Sequence, residues 1–280
     1  MSGHSIRLDS RLFMQVFITR LFALISLLFW LGRCWTHTSL HQLQGAAFVD
    51  PKADNFYWIL LYFNVPQAII NSFGLGLSID IALLLLPILI IIYPFRHLPA
   101  LIYAPLTILY LVSYNSFATH HEHTLIGLVF VSFLLCFKEA DRFRTVFNAL
   151  RYYTCFLMAS AALWKLGRGA LWHPEQFQNI LFEQHADWLI HYPQALFSQW
   201  IQFLIGSPFL SKLLWWGATL LEFVFLVGFF TRRYDIYLFV AFWLFIVADY
   251  FIMGLHFWEL GILSIFFWPQ WRRYFDGLRV

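Results

Sequence analysis

Long apolar runs separated by short polar segments make up most of the chain from about residue 12 onward. Within these runs polar and apolar positions do not alternate, which favours helices over the strands of a membrane barrel. A helix needs about 20 predominantly apolar residues to cross the hydrocarbon core of a bilayer. The pattern predicts eight spans, at residues 12–31, 76–95, 99–117, 123–137, 147–165, 208–230, 234–254 and 256–268.

Two longer segments between these spans are too polar or too interrupted to cross a membrane. Residues 35–73 contain two prolines and several asparagines, so we predict a loop with an interfacial or re-entrant helix. Residues 166–207 are rich in Trp, His and Gln, and we predict amphipathic helices that lie on the outer membrane surface as a lid. The predicted fold is an all-α integral membrane protein: one polytopic domain over residues 1–280, of about eight transmembrane helices with outer-face amphipathic helices and no soluble C-terminal domain.

Composition supports this class. The chain is 61% hydrophobic and 12% charged, whereas soluble domains carry about 25% charged residues. A net charge of +3 without a basic cluster excludes nucleic acid as a partner and leaves the lipid bilayer as the first one. The three cysteines form no C-x-x-C motif, which excludes thiol-pair redox chemistry.

The distribution of basic residues predicts how the spans are oriented in the membrane. Of the 18 lysines and arginines, 12 fall on one side and five on the other, and Arg20 lies inside the first span. Because cytoplasmic segments are enriched in Lys and Arg, both termini are predicted to be cytoplasmic. Arg20 interrupts the first apolar run and no cleavage site follows closely, so we predict a retained span rather than a signal peptide.

Histidines are sorted the opposite way. Of the 11 histidines, all but His4 and His97 are predicted on the outer side, namely His37, His41, His120, His121, His123, His173, His185, His191 and His256. Histidine exchanges protons near neutral pH, so this skew favours a site at the outer end of the bundle. Ordinary interfacial polarity is the alternative.

Lys165 is the first candidate for that site, because it lies at or just inside the outer end of the predicted fifth span. An ammonium in this position is costly unless it snorkels, pairs or loses its proton, and an intramembrane lysine is a functional candidate by default. Apolar surroundings would favour the neutral amine, which can take a proton from a weakly acidic hydroxyl. The alternative is an anchoring lysine that snorkels to the interface beside Trp164 and Trp172.

The turn between the third and fourth predicted spans contains His120, His121 and His123. His120 and His123 are three residues apart and would point the same way on a helical turn. With Glu122 or His256 they could hold a metal, but the spacing falls short of the multiple His boxes of di-iron membrane oxygenases. We therefore predict no metal and assign these histidines to proton exchange or hydrogen bonding, with interfacial polarity as the alternative.

Few other ionisable residues lie within the predicted spans. Arg20 and Glu222 lie at similar depth, each about 12 Å from the inner end, and an unpaired charge there costs several kcal/mol. We therefore predict that Arg20 and Glu222 form a structural ion pair. Asp249, Glu259 and His256 lie near the outer end and are predicted to line a substrate pocket with Lys165, the histidine turn, Trp164 and Trp172. Separate pairing of the two carboxylates with backbone or other helices is the alternative.

Residues 125–172 and 215–269 together resemble the horizontally transferred transmembrane (HTTM) family, which includes vitamin K-dependent gamma-glutamyl carboxylase and is related to DoxX-like proteins. In the carboxylase a span ends in Val-Lys-Lys-Leu, and this chain has Leu-Trp-Lys-Leu ending at Leu166. The run Glu122-His-Thr-Leu-Ile-Gly-Leu128 is similar to the family's Asn-His-Ser-Tyr-Leu-Tyr-Gly-Leu. The run Leu221-Glu-Phe-Val-Phe-Leu-Val-Gly-Phe-Phe-Thr-Arg-Arg233 is similar to the arrangement in HTTM and DoxX-like proteins.

The resemblance implies that Lys165 takes the place of the base that deprotonates vitamin K hydroquinone, and that His123 assists it. It implies a quinone or quinol cofactor of the vitamin K type, and, by analogy with bacterial members, a location in a bacterial inner membrane. The chain departs from the family at Trp164, which replaces the first lysine, and near Asp249, where the carboxylase has a histidine. Because the chain ends at Val280, without the large domain that presents a protein substrate, peptide carboxylation is not expected.

Two functional hypotheses follow. The first is a membrane enzyme that acts on a quinol-like or other lipid-soluble small molecule at the outer face, with Lys165 as base. The second is a non-catalytic membrane subunit or maturation partner, either a DoxX-like quinone-linked subunit or a protein that serves antimicrobial-peptide maturation. That alternative would make a peptide or another membrane protein the partner.

Overall fold

The structure is a computed structural model that describes residues 3–43, 62–115, 126–173, 175–254, 258–269 and 271. Every regular element in these ranges is helical. The chain divides into two compact units, the first ending at Asn148 and the second beginning at Ala149.

The described residues of the first unit form five helices and one short 3₁₀ turn, before a sixth helix that continues into the second unit. They are α1 (Gly3–Trp35), the 3₁₀ turn Leu40–Gln42, α2 (Val65–Asn71), α3 (Phe73–Ile92), α4 (His97–Asn115) and α5 (Ile126–Leu135). Helix α3 packs against both α1 and α4, and α4 packs against α5. The sixth helix, α6 (Ala140–Gly167), begins in this unit and continues into the second.

Helix α3 shows why such sequences suit a membrane. Its buried residues Ile79, Leu83, Leu86 and Ile90 recur at the spacing of one helix face. The opposite face is equally apolar and exposed, with Leu85 and other aliphatic side chains. A helix that is apolar on all sides is stable only when protein or lipid covers every face.

The 3₁₀ turn lies directly on α3, on a face that contains Phe73, Gly76 and Asp80. A Cβ at Gly76 would be only 3.1 Å from the backbone nitrogen of His41. One turn further along, the buried Asp80 carboxylate accepts hydrogen bonds from the backbone amides of Leu40 (3.1 Å) and His41 (3.0 Å). Gly76 therefore allows the close approach and Asp80 holds the turn in place.

We expect Gly76→Ala to destabilise the first unit, because the new methyl group would overlap the backbone of the 3₁₀ turn, where nothing can move aside cheaply. Gly74→Ala is the matched control, since a Cβ there meets nothing within 4 Å and alanine is the better helix former. The thermal midpoints of the two variants in detergent test this. A Gly76→Ala midpoint equal to that of Gly74→Ala would contradict it.

The second unit contains the end of α6 and the helices that follow it. These are α7 (Gln176–His191), α8 (Leu196–Ile205), α9 (Pro208–Phe223), a 3₁₀ turn (Val224–Leu226), α10 (Val227–Phe230), α11 (Asp235–Met253) and a 3₁₀ helix (Trp258–Phe267). The final 3₁₀ helix packs along α11, where the indole of Trp243 donates to Ser264. Helix α9, the turn and α10 run on as one continuous apolar segment, Pro208–Phe230.

A buried arginine ties three segments of this unit together. Arg151 on α6 donates from Nε to Asp235 Oδ2 (3.0 Å), at the start of α11, and from Nη1 to the carbonyl of Gly228 (2.9 Å), in α10. Its Nη2 donates to the other oxygen of Asp235 and to the carbonyl of Thr231. Arg151 is only 1% exposed, and Asp235 compensates its charge while four of its five N–H donors are bound within the protein.

Helices α7 and α8 pack on each other through Phe177, Leu181, Ile201 and Leu204, and the first turns of α9 join this apolar cluster. His185 on α7 attaches the pair to the end of α11, because its Nε2 lies 3.1 Å from the carbonyl of Ile252. Burial lowers the pKa of His185 below its ordinary value of 6.5. The folded protein therefore favours the neutral imidazole.

A lowered pKa makes stability depend on pH with a defined sign. As the pH falls below the unfolded value of 6.5, the unfolded chain binds a proton at His185 before the folded chain does, so stability is lost on acidification. We expect the thermal midpoint of the wild type to fall more steeply than that of His185→Gln between about pH 7 and about pH 5. The Gln amide keeps the donor to Ile252 but does not titrate.

The exposed His191 supplies the control, since His191→Gln should leave this pH dependence unchanged. Parallel pH curves for the wild type and His185→Gln would contradict the prediction.

Five helical segments of the described residues are long and apolar enough to cross a membrane. They are Leu12–Gln42, Phe73–Ile92, His97–Asn115, Pro208–Phe230 and Asp235–Met253. Each coincides with a span predicted from the sequence, so the prediction of an all-helical, membrane-type fold is confirmed. Among the described residues the structure supports five of the eight predicted spans.

The other three predicted spans differ from the structure for physical reasons. Within the described residues, helix α5 covers ten residues, about 15 Å at 1.5 Å per residue, and the 3₁₀ helix Trp258–Phe267 also covers ten. Residues 123–125 and 256–257 of these two predicted spans lie outside the described residues. The predicted span at 147–165 lies within α6, which is long enough at 28 residues but carries Arg151 and Lys165 and is not among the apolar candidates. The predicted helices between residues 166 and 207 exist as α7 and α8, and their place on a membrane surface stays a prediction.

Candidate functional site

Lys165 and Glu222 form a buried ion pair in the second unit. Lys165 lies in the last turn of α6 and Glu222 near the end of α9. The distance between Nζ of Lys165 and Oε1 of Glu222 is 2.6 Å, and the side chains are 19% and 4% exposed. Glu222 is buried and Lys165 is partly buried, and each charge compensates the other.

Trp215 and Asp249 complete the surroundings of this pair. Trp215 precedes Glu222 by seven residues, two turns of α9, so both lie on one helix face. The ring centroid of Trp215 is 4.6 Å from Nζ of Lys165, which allows a cation–π interaction. Asp249 on α11 interacts electrostatically with both Lys165 and Glu222, as expected for a carboxylate that shares their surroundings.

The turn that follows Lys165 is fastened to α9 by two adjacent indoles. Trp215 Nε1 donates to the carbonyl of Ala170 (3.3 Å) and Trp216 Nε1 to that of Leu171 (3.2 Å). Gly169 adopts a positive φ of 69°, which glycine accepts without steric cost. These contacts fix the end of α6 and therefore the position of the lysine.

One oxygen of the Glu222 carboxylate is left open. Oε2 is buried and has no hydrogen-bond partner among the described residues. A buried carboxylate oxygen without a donor costs free energy, so a donor that reached this atom would stabilise the site. The pair is therefore an incomplete hydrogen-bonding group rather than a saturated one.

The prediction that Glu222 pairs with Arg20 requires correction. Glu222 is bound by Lys165, whereas Nε of Arg20 donates to the carbonyl of Ile91 at 3.1 Å. Counting depth from the ends of predicted spans gave Glu222 the wrong partner, because the first turns of α9 pack on α7 and α8. As a result, Trp215, and not Pro208, is level with the turn after Lys165.

The remaining predicted site residues fall into two groups. Trp164 and Trp172 are exposed, with Trp164 stacked against Arg168 and Trp172 edge-on to Trp216, while Glu259 is buried in the last 3₁₀ helix. The residues that lie outside the described part of the chain are His120, His121, His123 and His256. Among the described residues no three His, Cys, Asp or Glu side chains form a group that could hold a metal.

Two constellations were missed from the sequence. The Arg151–Asp235 pair involves an aspartate that hydropathy places at a span boundary, where charged residues are common and give no signal of a buried ion pair. The Asp80–His41 contact joins residues that are far apart in the chain, and its only local signal is Gly76 one turn before Asp80.

Comparison of the chain with protein-family models, with curated proteins and with solved structures finds no match. The chemistry of Lys165, Glu222 and Asp249 therefore carries the functional proposal.

We expect Lys165→Met and Glu222→Leu to lower the free energy of unfolding, by about 3 kcal/mol for the lysine variant, because each leaves a buried charge without its partner. The loss should be smaller for Glu222→Leu, since Lys165 keeps its interaction with Asp249. The double variant should recover much of the loss. Chemical or thermal unfolding in detergent measures all three.

The exposed pair of Arg142 and Glu139 is the matched control. Both side chains are more than half exposed, so Arg142→Ala should change stability by less than about 1 kcal/mol. Additive losses in the Lys165–Glu222 double variant would show that the pair does not couple in solution.

Proposed function

We propose that this chain is an integral membrane enzyme in which the Lys165–Glu222 pair accepts a proton from the hydroxyl of a lipid-soluble, quinol-like molecule. The observation that carries the proposal is the buried Oε2 of Glu222, which has no hydrogen-bond partner among the described residues and belongs to the carboxylate that Lys165 binds. A hydroxyl that donates to this oxygen would complete the hydrogen bonding of the carboxylate. The same hydrogen bond would place the hydroxyl proton where it can transfer to the Lys165–Glu222 pair.

The outcome of this proton transfer is the same whether Lys165 or Glu222 carries the proton that the pair shares at the start. The pair begins either as ammonium and carboxylate or as amine and carboxylic acid, and both forms are neutral overall. After it takes one proton, it consists of an ammonium and a carboxylic acid, and the substrate becomes an oxyanion. The positive charge of Lys165 then compensates that oxyanion in the low-dielectric site.

The residues around the pair stabilise its protonated form, in which Lys165 is an ammonium and Glu222 a carboxylic acid. The Trp215 ring presents its negative face to the ammonium, and the carboxylate of Asp249 adds a second favourable interaction with Lys165. Together they offset the cost of holding a net positive charge on the pair. The fixed turn after Lys165 means that little reorganisation is needed at the moment of proton transfer.

The resemblance to the HTTM family supports the same assignment, since Lys165 corresponds to the family's proposed base. On this analogy His123 assists Lys165, and the substrate class is a quinol of the vitamin K type. The bacterial members of that family motivate a location in a bacterial inner membrane, with cytoplasmic termini and α7 and α8 at the outer surface.

The tight pair also favours a second candidate, a non-catalytic membrane subunit. A contact of 2.6 Å already neutralises both charges and joins α6 to α9, which is what a structural clamp requires. In that case the substitution of one cation by another should change little.

Lys165→Arg separates the two functions. We expect Arg at this position to keep the protein folded, yet to abolish proton acceptance, because its planar fork can bind both oxygens of Glu222 and occupy Oε2. The measurement is the absorption spectrum of an alkylated nitrophenol added to the protein in nanodiscs, since its phenolate absorbs visible light. Wild type should convert bound phenol to phenolate, and Lys165→Arg should not.

Arg142→Lys at the exposed pair serves as the matched control and should behave as wild type. Phenolate formation by Lys165→Arg equal to that of the wild type would end the base hypothesis and favour the structural clamp. Absence of phenolate on the wild type would have the same consequence.

A further inference from the structure

The Asp80–His41 contact in the first unit contains more than is needed to hold the 3₁₀ turn. Two backbone amides already bind the Asp80 carboxylate and fix the turn. In addition, Nδ1 of His41 lies 2.7 Å from Oδ2 of Asp80, and Asp80 is only 6% exposed. This third contact orients the imidazole and is not required for the backbone geometry.

The contact also decides which ring nitrogen is left for chemistry. An ionised carboxylate only accepts hydrogen bonds, so Nδ1 must carry the proton. In neutral His41 the lone pair is therefore on Nε2, which can accept a hydrogen bond. Within the described part of the chain, Nε2 makes no hydrogen bond, and the side chain is 20% exposed.

An exposed aromatic side chain lies beside the imidazole. The ring of Phe73 is edge-on to the imidazole, with 5.7 Å between centroids, and Phe73 itself is 63% exposed. It begins α3, one of the helices long and apolar enough to cross a membrane. A molecule that reached Nε2 along this surface would therefore need an apolar body and a polar donor at its end.

We propose that His41, oriented by Asp80, is a second proton-accepting site, which binds the hydroxyl of an apolar molecule through Nε2. The hydroxyl donates to Nε2. If it is acidic enough, its proton transfers, which leaves an oxyanion and an imidazolium that is paired with Asp80. The molecule's apolar body lies against Phe73. This site involves none of the residues of the Lys165–Glu222 pair, and it stands or falls independently of that assignment.

The first test is protection of His41 from diethyl pyrocarbonate, which acylates an unprotonated imidazole nitrogen. The full chain in nanodiscs is labelled, and each histidine is followed by mass spectrometry. Added para-hexylphenol should protect His41: at about ten times its Kd it fills about nine-tenths of the sites and slows labelling about tenfold. Para-hexylanisole, which has the same body but no hydroxyl proton, should protect little.

His191 is the reference within the same sample, because its side chain is 64% exposed and should react equally with or without the phenol. If His41 does not react while His191 does, Nε2 is not accessible and the proposal fails. Equal protection by the phenol and the anisole would also overturn it, since the hydroxyl would then contribute nothing.

A second test uses a variant that keeps the structural contact alone. In His41→Asn the side-chain amide can still donate to Asp80, as Nδ1 does, but the second nitrogen is absent. We expect its thermal midpoint to stay near that of the wild type and its affinity for para-hexylphenol to fall about tenfold, the worth of one hydrogen bond. Wild-type affinity in His41→Asn would overturn the proposal, and the labelling experiment on the wild type decides the question if the variant does not fold.

Discussion

A charge inside an apolar helical bundle must be compensated where it lies, because neither lipid nor buried side chains can replace water. In the second unit this requirement brings Arg151 to Asp235 and Lys165 to Glu222, and in the first it brings the turn around His41 to Asp80. Each contact joins segments that are distant in sequence. The buried charges thus fix helix-to-helix positions that uniformly apolar surfaces leave undetermined.

The two buried ion pairs of the second unit differ in how completely they are satisfied. Arg151 donates to both oxygens of Asp235 and to two backbone carbonyls, so four of the five N–H donors of its guanidinium are used and both carboxylate oxygens are bound. Glu222 receives one hydrogen bond, from Lys165, and its second oxygen is open among the described residues. A saturated pair suits a structural role, while an open one can still bind and exchange a proton.

Hydropathy identified the five apolar spans, because length and composition alone decide whether a helix can cross hydrocarbon. The predicted limits agree within three residues for four of them, whereas the first segment extends to Gln42 and not to Leu31. It also selected Lys165, since a lysine in an apolar run stands out. It could not give the partner of Glu222, which depends on how far α9 extends beyond the end of α6 to pack on α7 and α8. The orientation of His41 was equally hidden, because it requires a close approach at Gly76 that no periodicity reveals.

The cation differs between the two pairs, arginine where both carboxylate oxygens are bound and lysine where only one is. Arginine cannot give up its proton in a protein, and its planar fork matches two carboxylate oxygens at once. At position 151 these properties favour an ion pair that stays formed and charged, with the Phe267 ring beside the guanidinium. Lysine is a single-point donor that can lose its proton when buried. At position 165 it neutralises Glu222 through one contact and leaves the second carboxylate oxygen without a partner among the described residues.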